Sequence, residues 1–295
     1  MKVRLPMVNN RMLFGVALLT GFVASVLVTG TAQATYVWDL LKYDGTPNVL
    51  KMKGWGAVYK WTGSSWQDAG DIALNALTTD HLLVMVMRAF KVNGLDVSSG
   101  YDGEITAYMA LRIAQVELGK YVLGPHLRAE KDPFEKLTSH QVLALYFDTN
   151  QDFGQGSGRV DSVNRATSGV LKAIWGYPVP TDPEVYVDGN KGAIGDTSYI
   201  NFLGGLEWLV NNFGYSFLPV DNPALDGTQT VSVNFYQVQL GNPQGTPSPP
   251  GPDWIFSLQD EFTFRLVPEP GTLTALLAMG GAAGLGLALR RRKES

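Results

Sequence analysis

Alternation with a period of two constrains this chain more than any other feature. Ile105, Ala107, Met109, Leu111 and Ile113 interleave with Thr106, Tyr108, Ala110, Arg112 and Ala114, so an extended segment there turns one apolar face inward. Val231, Val233 and Phe235 alternate in the same way with Ser232, Asn234 and Tyr236, and Phe262, Phe264 and Leu266 with Thr263 and Arg265. Two continuous apolar runs, 82–90 and 142–147, are bounded by turn formers and suit strands buried on both faces. Stretches 170–175 and 199–210 complete the set, with a short helix over 202–212 as the alternative for the last. Strands at this spacing, separated by Gly, Asp, Asn and Pro clusters, predict a mainly β ectodomain, an antiparallel β-sandwich or jelly roll. Residues 241–253 hold five prolines and three glycines and cannot pair as a strand. They predict a stiff loop joining 228–240 and 254–266 as a hairpin.

Both ends of the chain read as targeting segments. Lys2, Arg4 and Arg11 precede an apolar stretch from Met12 to Val28, and Ala32-Gln33-Ala34 offers small residues for cleavage after Ala34. That is the order of a secretory signal peptide over residues 1–34. At the other end, the 20 residues from Pro270 to Leu289 carry no charge. As a helix they match the roughly 30 Å hydrocarbon core of a bilayer, which predicts one C-terminal transmembrane helix. The basic cluster behind them would stay cytoplasmic and place the preceding residues outside.

The intervening body, residues 35–266, contains no cysteine, so burial and hydrogen bonds must hold it without disulfides. The whole chain has 23 basic and 27 acidic residues. Setting aside seven Lys and Arg of the two ends, with Glu269 and Glu294, leaves 16 basic and 25 acidic, a net charge near −9. Such a balance excludes nucleic acid as a partner, because polyanion binding needs clustered Lys and Arg.

The sequence Val267-Pro268-Glu269-Pro270, the apolar segment and then Arg290-Arg291-Arg292-Lys293 resembles the PEP-CTERM sorting tail of bacterial exported proteins, over residues 267–295. The resemblance implies export by the Sec machinery and recognition by an exosortase, a membrane-embedded processing enzyme of bacteria that make extracellular polysaccharide. It implies an inner-membrane-anchored precursor, then release to the cell surface or extracellular matrix. The strand ending Leu145-Tyr146-Phe147-Asp148 and the Phe-rich strand running into the tail look like features of secreted PEP-CTERM sandwich proteins, some associated with flocculation and biofilm. The tail is also similar to one known as an ice-binding protein C-terminal domain; with no Thr-x-Thr array in the body, that name concerns the tail alone.

The body has few candidates for chemistry. Asp148, Asn150 and Asp152 place alternate side-chain oxygens on a tight loop, which suits Ca2+. Phe153 and Arg159 stand where an EF-hand needs Gly and Glu, so the competing reading is an Asx-rich turn. Asp188-Gly189-Asn190-Lys191-Gly192 with Asp196 is a second such stretch. Tyr36, Trp38, Trp55, Tyr59, Trp61 and Trp66 either stack on sugar rings or pack in the core. His81, His126 and His140 lack an HExxH neighbourhood, and Gly154-Gln155-Gly156-Ser157-Gly158 is neither a nucleophile elbow nor a phosphate loop. Glu104, Glu117 and Glu207 are the carboxylates a glycosidase pair would draw on. The preferred reading is an exported, noncatalytic cell-surface or matrix protein associated with exopolysaccharide, biofilm or flocculation. The alternatives are a secreted carbohydrate-active enzyme and a structural protein without a specific ligand.

Overall fold

The computed structural model describes residues 35–117, 120–125, 132–177, 189–191, 200–221, 230–241 and 254–269. The strands are β1 (Pro47–Trp61), β2 (Trp66–Asp68), β3 (His81–Val92), β4 (Leu95–Asp96), β5 (Glu104–Glu117), β6 (Lys120–Gly124) and β7 (Gln141–Asp148). After the helix α1 (Arg159–Ala166) come β8 (Val170–Gly176), β9 (Gly189–Lys191), β10 (Ile200–Asn211), β11 (Tyr215–Leu218), β12 (Val220–Asp221), β13 (Thr230–Val231), β14 (Val233–Gly241) and β15 (Phe256–Pro268). The mainly β expectation holds. The stretch 202–212 is strand, not helix, and 228–240 pairs with 254–266 as the β14–β15 hairpin.

The two-sheet sandwich or jelly roll does not. Eight strands close into one antiparallel barrel in the order β1-β3-β5-β7-β8-β10-β14-β15 and back to β1. Closure comes from length: β1 reaches from Pro47↔Arg265 to Gly56↔Phe256 on β15 while pairing along β3 from Leu50 to Lys60, and β3 in turn pairs with β5. Each barrel strand thereby satisfies both of its hydrogen-bonding edges, which two open sheets would leave to solvent at four places. Between β5 and β10 the wall has two tiers. β7 and β8 fill the end near Glu104, the base, and β6 and β9 fill the far end.

Alternation sorts each strand into a face. Leu50, Met52, Leu83, Met85, Met87, Ile105, Ala107, Met109, Leu143, Leu145, Trp175, Phe262 and Phe264 fill the barrel interior. A second apolar layer lies outside the wall, where Trp55, Leu82, Val84, Val86, Tyr108, Ala144 and Tyr146 are covered by Val163 and Ala166 of α1 and by Leu137. This cover explains the continuous apolar runs of β3 and β7: both of their faces are buried. It also buries Tyr108 and Thr106 completely, positions where alternation predicts a solvated face. The opposite flank stays polar, with Lys51 bridging Glu261 at 2.9 Å.

Both barrel ends are plugged. At the far end Leu74 and Leu77 are buried, and the backbone N–H of Leu77 donates to the Tyr121 hydroxyl at 3.2 Å. At the base a 3-10 turn, Val37–Leu40, brings Trp38 flat against Phe147 at 5.2 Å between ring centroids, with Tyr36 stacked on Trp38. Pro268, the last residue of β15, also lies at the base. Ala32, Ala34, Pro270, the apolar segment and Arg290, Arg291 and Arg292 fall outside the described residues; among those described, no helix is long and apolar enough to cross a membrane.

Candidate functional site

The loop after β7 gathers the largest set of charged side chains at the base. Asp148 is buried, its Oδ1 accepting from the Asn150 N–H at 2.8 Å and its Oδ2 from the Ser168 hydroxyl. Asp152 Oδ2 meets Arg165 Nη1 at 3.1 Å, and Arg165 Nε reaches Asp161 at 3.3 Å. Gln151 Nε2 ties the loop to the carbonyls of Tyr101 and Gly103 at 2.6 and 3.1 Å. Gly103 has a φ of 67°, and a Cβ there would lie 2.6 Å from the Asp148 carbonyl, so only glycine lets the two loops approach this closely.

Beneath the loop, Glu104 accepts from the Phe153 N–H at 3.0 Å and faces Arg88 Nε at 3.3 Å. Burial outweighs Arg88 and pushes its carboxyl up to about 7. Of the Ca2+ candidates, Asp148 and Asp152 thus already engage protein donors, and Asn150 contributes its backbone N–H to an Asx turn. Among the described residues no three His, Cys, Asp or Glu side chains are grouped to hold a metal. Asp188 and Asp196 of the second stretch lie outside the described residues, as does His126, while Gly189–Lys191 is β9.

The early aromatics pack. Trp55 stacks on Phe153 at 4.9 Å, the Tyr59 hydroxyl accepts from Arg159 Nη1 at 3.0 Å, and Trp61 meets Trp66 edge-on at 5.2 Å. Among the described residues, the aromatic most open to solvent comes late in the chain. Trp208 is 49% exposed, at the bulge where β10 slips against β8 between Trp208 and Val210, and Glu207 beside it is exposed. Bulges of this kind re-aim a side chain at the expense of a ladder hydrogen bond. A lone Trp in the string Leu206-Glu207-Trp208-Leu209-Val210 gives no periodic cue, so the sequence hides it.

The three carboxylates of a glycosidase pair are not brought together. Glu104 and Glu117 end the same strand, about 40 Å apart at roughly 3.3 Å per residue, and Glu207 lies three strands round the wall from Glu104. A carboxylate that sequence reading missed, Asp260, falls in the inward row of β15 between Leu258 and Phe262. It is 1% exposed, neither of its oxygens has a hydrogen-bond partner among the described residues, and burial holds its carboxyl well above the usual range. His81 is the buried first residue of β3, and its Nδ1 takes the Thr78 N–H at 2.9 Å; burial lowers its pKa.

The C-terminal strand runs without a linker into the sorting residues. Leu266 is fully buried, Val267 and Pro268 are half-buried and paired with β11, and Glu269 is exposed. Residues 266–293 match the PEP-CTERM protein-sorting motif. No curated protein and no solved structure matches the chain.

Proposed function

We infer that the motif over residues 266–293 marks an exported protein sorted to the cell surface with an exosortase as its processing partner. We propose that the barrel is the noncatalytic cargo of that route, a surface or matrix domain that contacts extracellular polysaccharide. The observation that carries this reading is the continuity of β15 with the sorting motif, which leaves the barrel as the part delivered. Its plugged ends and filled interior suit a domain that works by its outer surface. Trp208, with Glu207 beside it, supplies the aromatic face on which a sugar ring stacks, and a net charge near −9 favours neutral over anionic chains. The apolar segment behind the motif would anchor the precursor until processing. Tyr36 and Glu269, where the described body starts and stops, both lie at the base, so the anchored precursor would turn its far end outward.

Co-sedimentation of the exported protein with the producing strain's own purified polysaccharide tests the reading. Trp208→Ala is expected to weaken binding about tenfold, on the scale of one lost aromatic stack. Its folding should be intact, because the side chain is half exposed. Binding unchanged by Trp208→Ala would remove this surface, and no binding by the unaltered protein would leave a structural role. Release of reducing ends from the polysaccharide would favour an enzyme.

A further inference from the structure

The sorting motif begins inside a barrel strand: its first residues, Leu266 to Pro268, are the last of β15. Tyr215↔Pro268, Ser216↔Val267, Phe217↔Leu266 and Leu218↔Arg265 pair β11 with the end of β15. On the other edge of β15, Gly45 donates its N–H to the Leu266 carbonyl at 2.8 Å, and Arg265 Nε bonds the Gly45 carbonyl at 2.7 Å. A Cβ on Gly45 would sit 3.2 Å from Val267 Cγ1. β11 is itself rooted in the core: Phe217 contacts Trp175, Phe213 and Phe264, and Tyr215 lies on Tyr43 at 4.2 Å. A processing enzyme that takes its substrate as an extended strand needs the backbone edges of that strand, and the folded barrel occupies one of them through Pro268 and the other as far as Leu266.

We infer that β11 is a strap over the sorting motif, and that its pairing with residues 265–268 must open before the exosortase can engage Val267 and Pro268. The strap is a local unit at the barrel base, so it can open without unfolding the barrel. Release thus depends on the folded state of the cargo: the more firmly β11 is held, the slower the processing. This inference rests on the sorting reading.

The absence of native cysteine makes a direct test clean. Ser216→Cys with Val267→Cys places a disulfide across directly opposed strand residues, whose Cα separation in an antiparallel pair suits the bond. The full-length chain, expressed in a strain with its exosortase, is followed by pulse-chase from precursor to processed form. The double variant is expected to process at least about tenfold more slowly than either single-cysteine control, and to recover in a strain lacking periplasmic disulfide formation. Ser216→Pro, which removes a strap N–H, and a Gly-Ser spacer between Leu266 and Val267, which lifts the motif off the strand, are both expected to process faster than the unaltered chain. Locked, loosened and spaced chains processed at one rate would overturn the strap. Replacement of Pro268-Glu269-Pro270 by three alanines is the separate control: processing that survives it would count against the sorting reading instead.

Discussion

Replacing Glu104 by Gln should make the protein more stable at alkaline pH and leave it nearly unchanged in acid. The side chain is fully buried under the base loop, and burial raises its carboxyl from 4.5 to about 7 despite Arg88. The folded state therefore holds a proton that the unfolded chain has released between pH 4.5 and 7. Stability that is complete below pH 4.5 is lost progressively as the pH rises through 7. At about 1.4 kcal/mol per pH unit the full loss is about 3 kcal/mol. Arg88 is a quarter exposed and the loop can relax around the charge, so about 1–2 kcal/mol is the observable figure. Gln keeps the shape and can still accept the Phe153 N–H, while carrying no proton to lose. Urea unfolding followed by tryptophan fluorescence at pH 4.5, 6, 7 and 8 gives the variant-minus-parent difference, in which titrations common to both cancel. The difference should start near zero and grow in favour of Gln across that window. A flat difference, or a Gln variant less stable than the parent at pH 8, would refute the account of Glu104.

Asp260→Leu removes two carboxylate oxygens that have no partner among the described residues from the barrel interior and should stabilise the protein by about 1–3 kcal/mol at pH 7. Because the Asp260 pKa is raised, the gain should shrink toward pH 4; a loss of stability at pH 7 would show that the carboxyl has a partner when folded. At the base loop, Ca2+ and Mg2+ at equal concentration should shift the melting temperature equally, since Asp148 and Asp152 already face protein donors. A shift specific to Ca2+ and abolished by Asp148→Ala with Asp152→Ala would restore the cation reading. Gly54→Ala should disrupt the β1–β3 pairing, because its Cβ would fall on the Val86 carbonyl oxygen, and loss of soluble exported protein would report it.

Local periodicity made most of the strands legible, and it failed where long-range pairing decides. β5, β14 and β15 announce themselves because apolar residues dominate their inward rows, Asp260 being the departure in β15, and β3 and β7 because they are apolar nearly throughout. β1 was obscured by its glycines and lysines. Gly54 and Gly56 interrupt its inward row so that the backbone can approach Val86 and the Phe256 ring can fill the space, and a strand read by its side chains vanishes there. α1 is short, and its buried contribution is little more than Val163 and Ala166, too few for a helical stripe. Whether the strands form a sandwich or a barrel depends on whether β3 pairs with β5 while still holding β1, a contact that no segment encodes by itself. The site shows the same division. The sorting motif is contiguous and is readable in full; the base loop is legible after β7, but two donors that occupy its oxygens, Arg165 and Ser168, come from the last turn of α1 and the residues just after it. Trp208 and Asp260 owe their interest to opposite departures from alternation. Trp208 is an apolar residue that stays half exposed beside a bulge although it pairs with the buried Trp175, and Asp260 a charged residue that strict alternation carries inward between Leu258 and Phe262. Such departures become visible only when the strand's two faces are known, and they are the positions at which substitution should reveal what the barrel does beyond holding itself together.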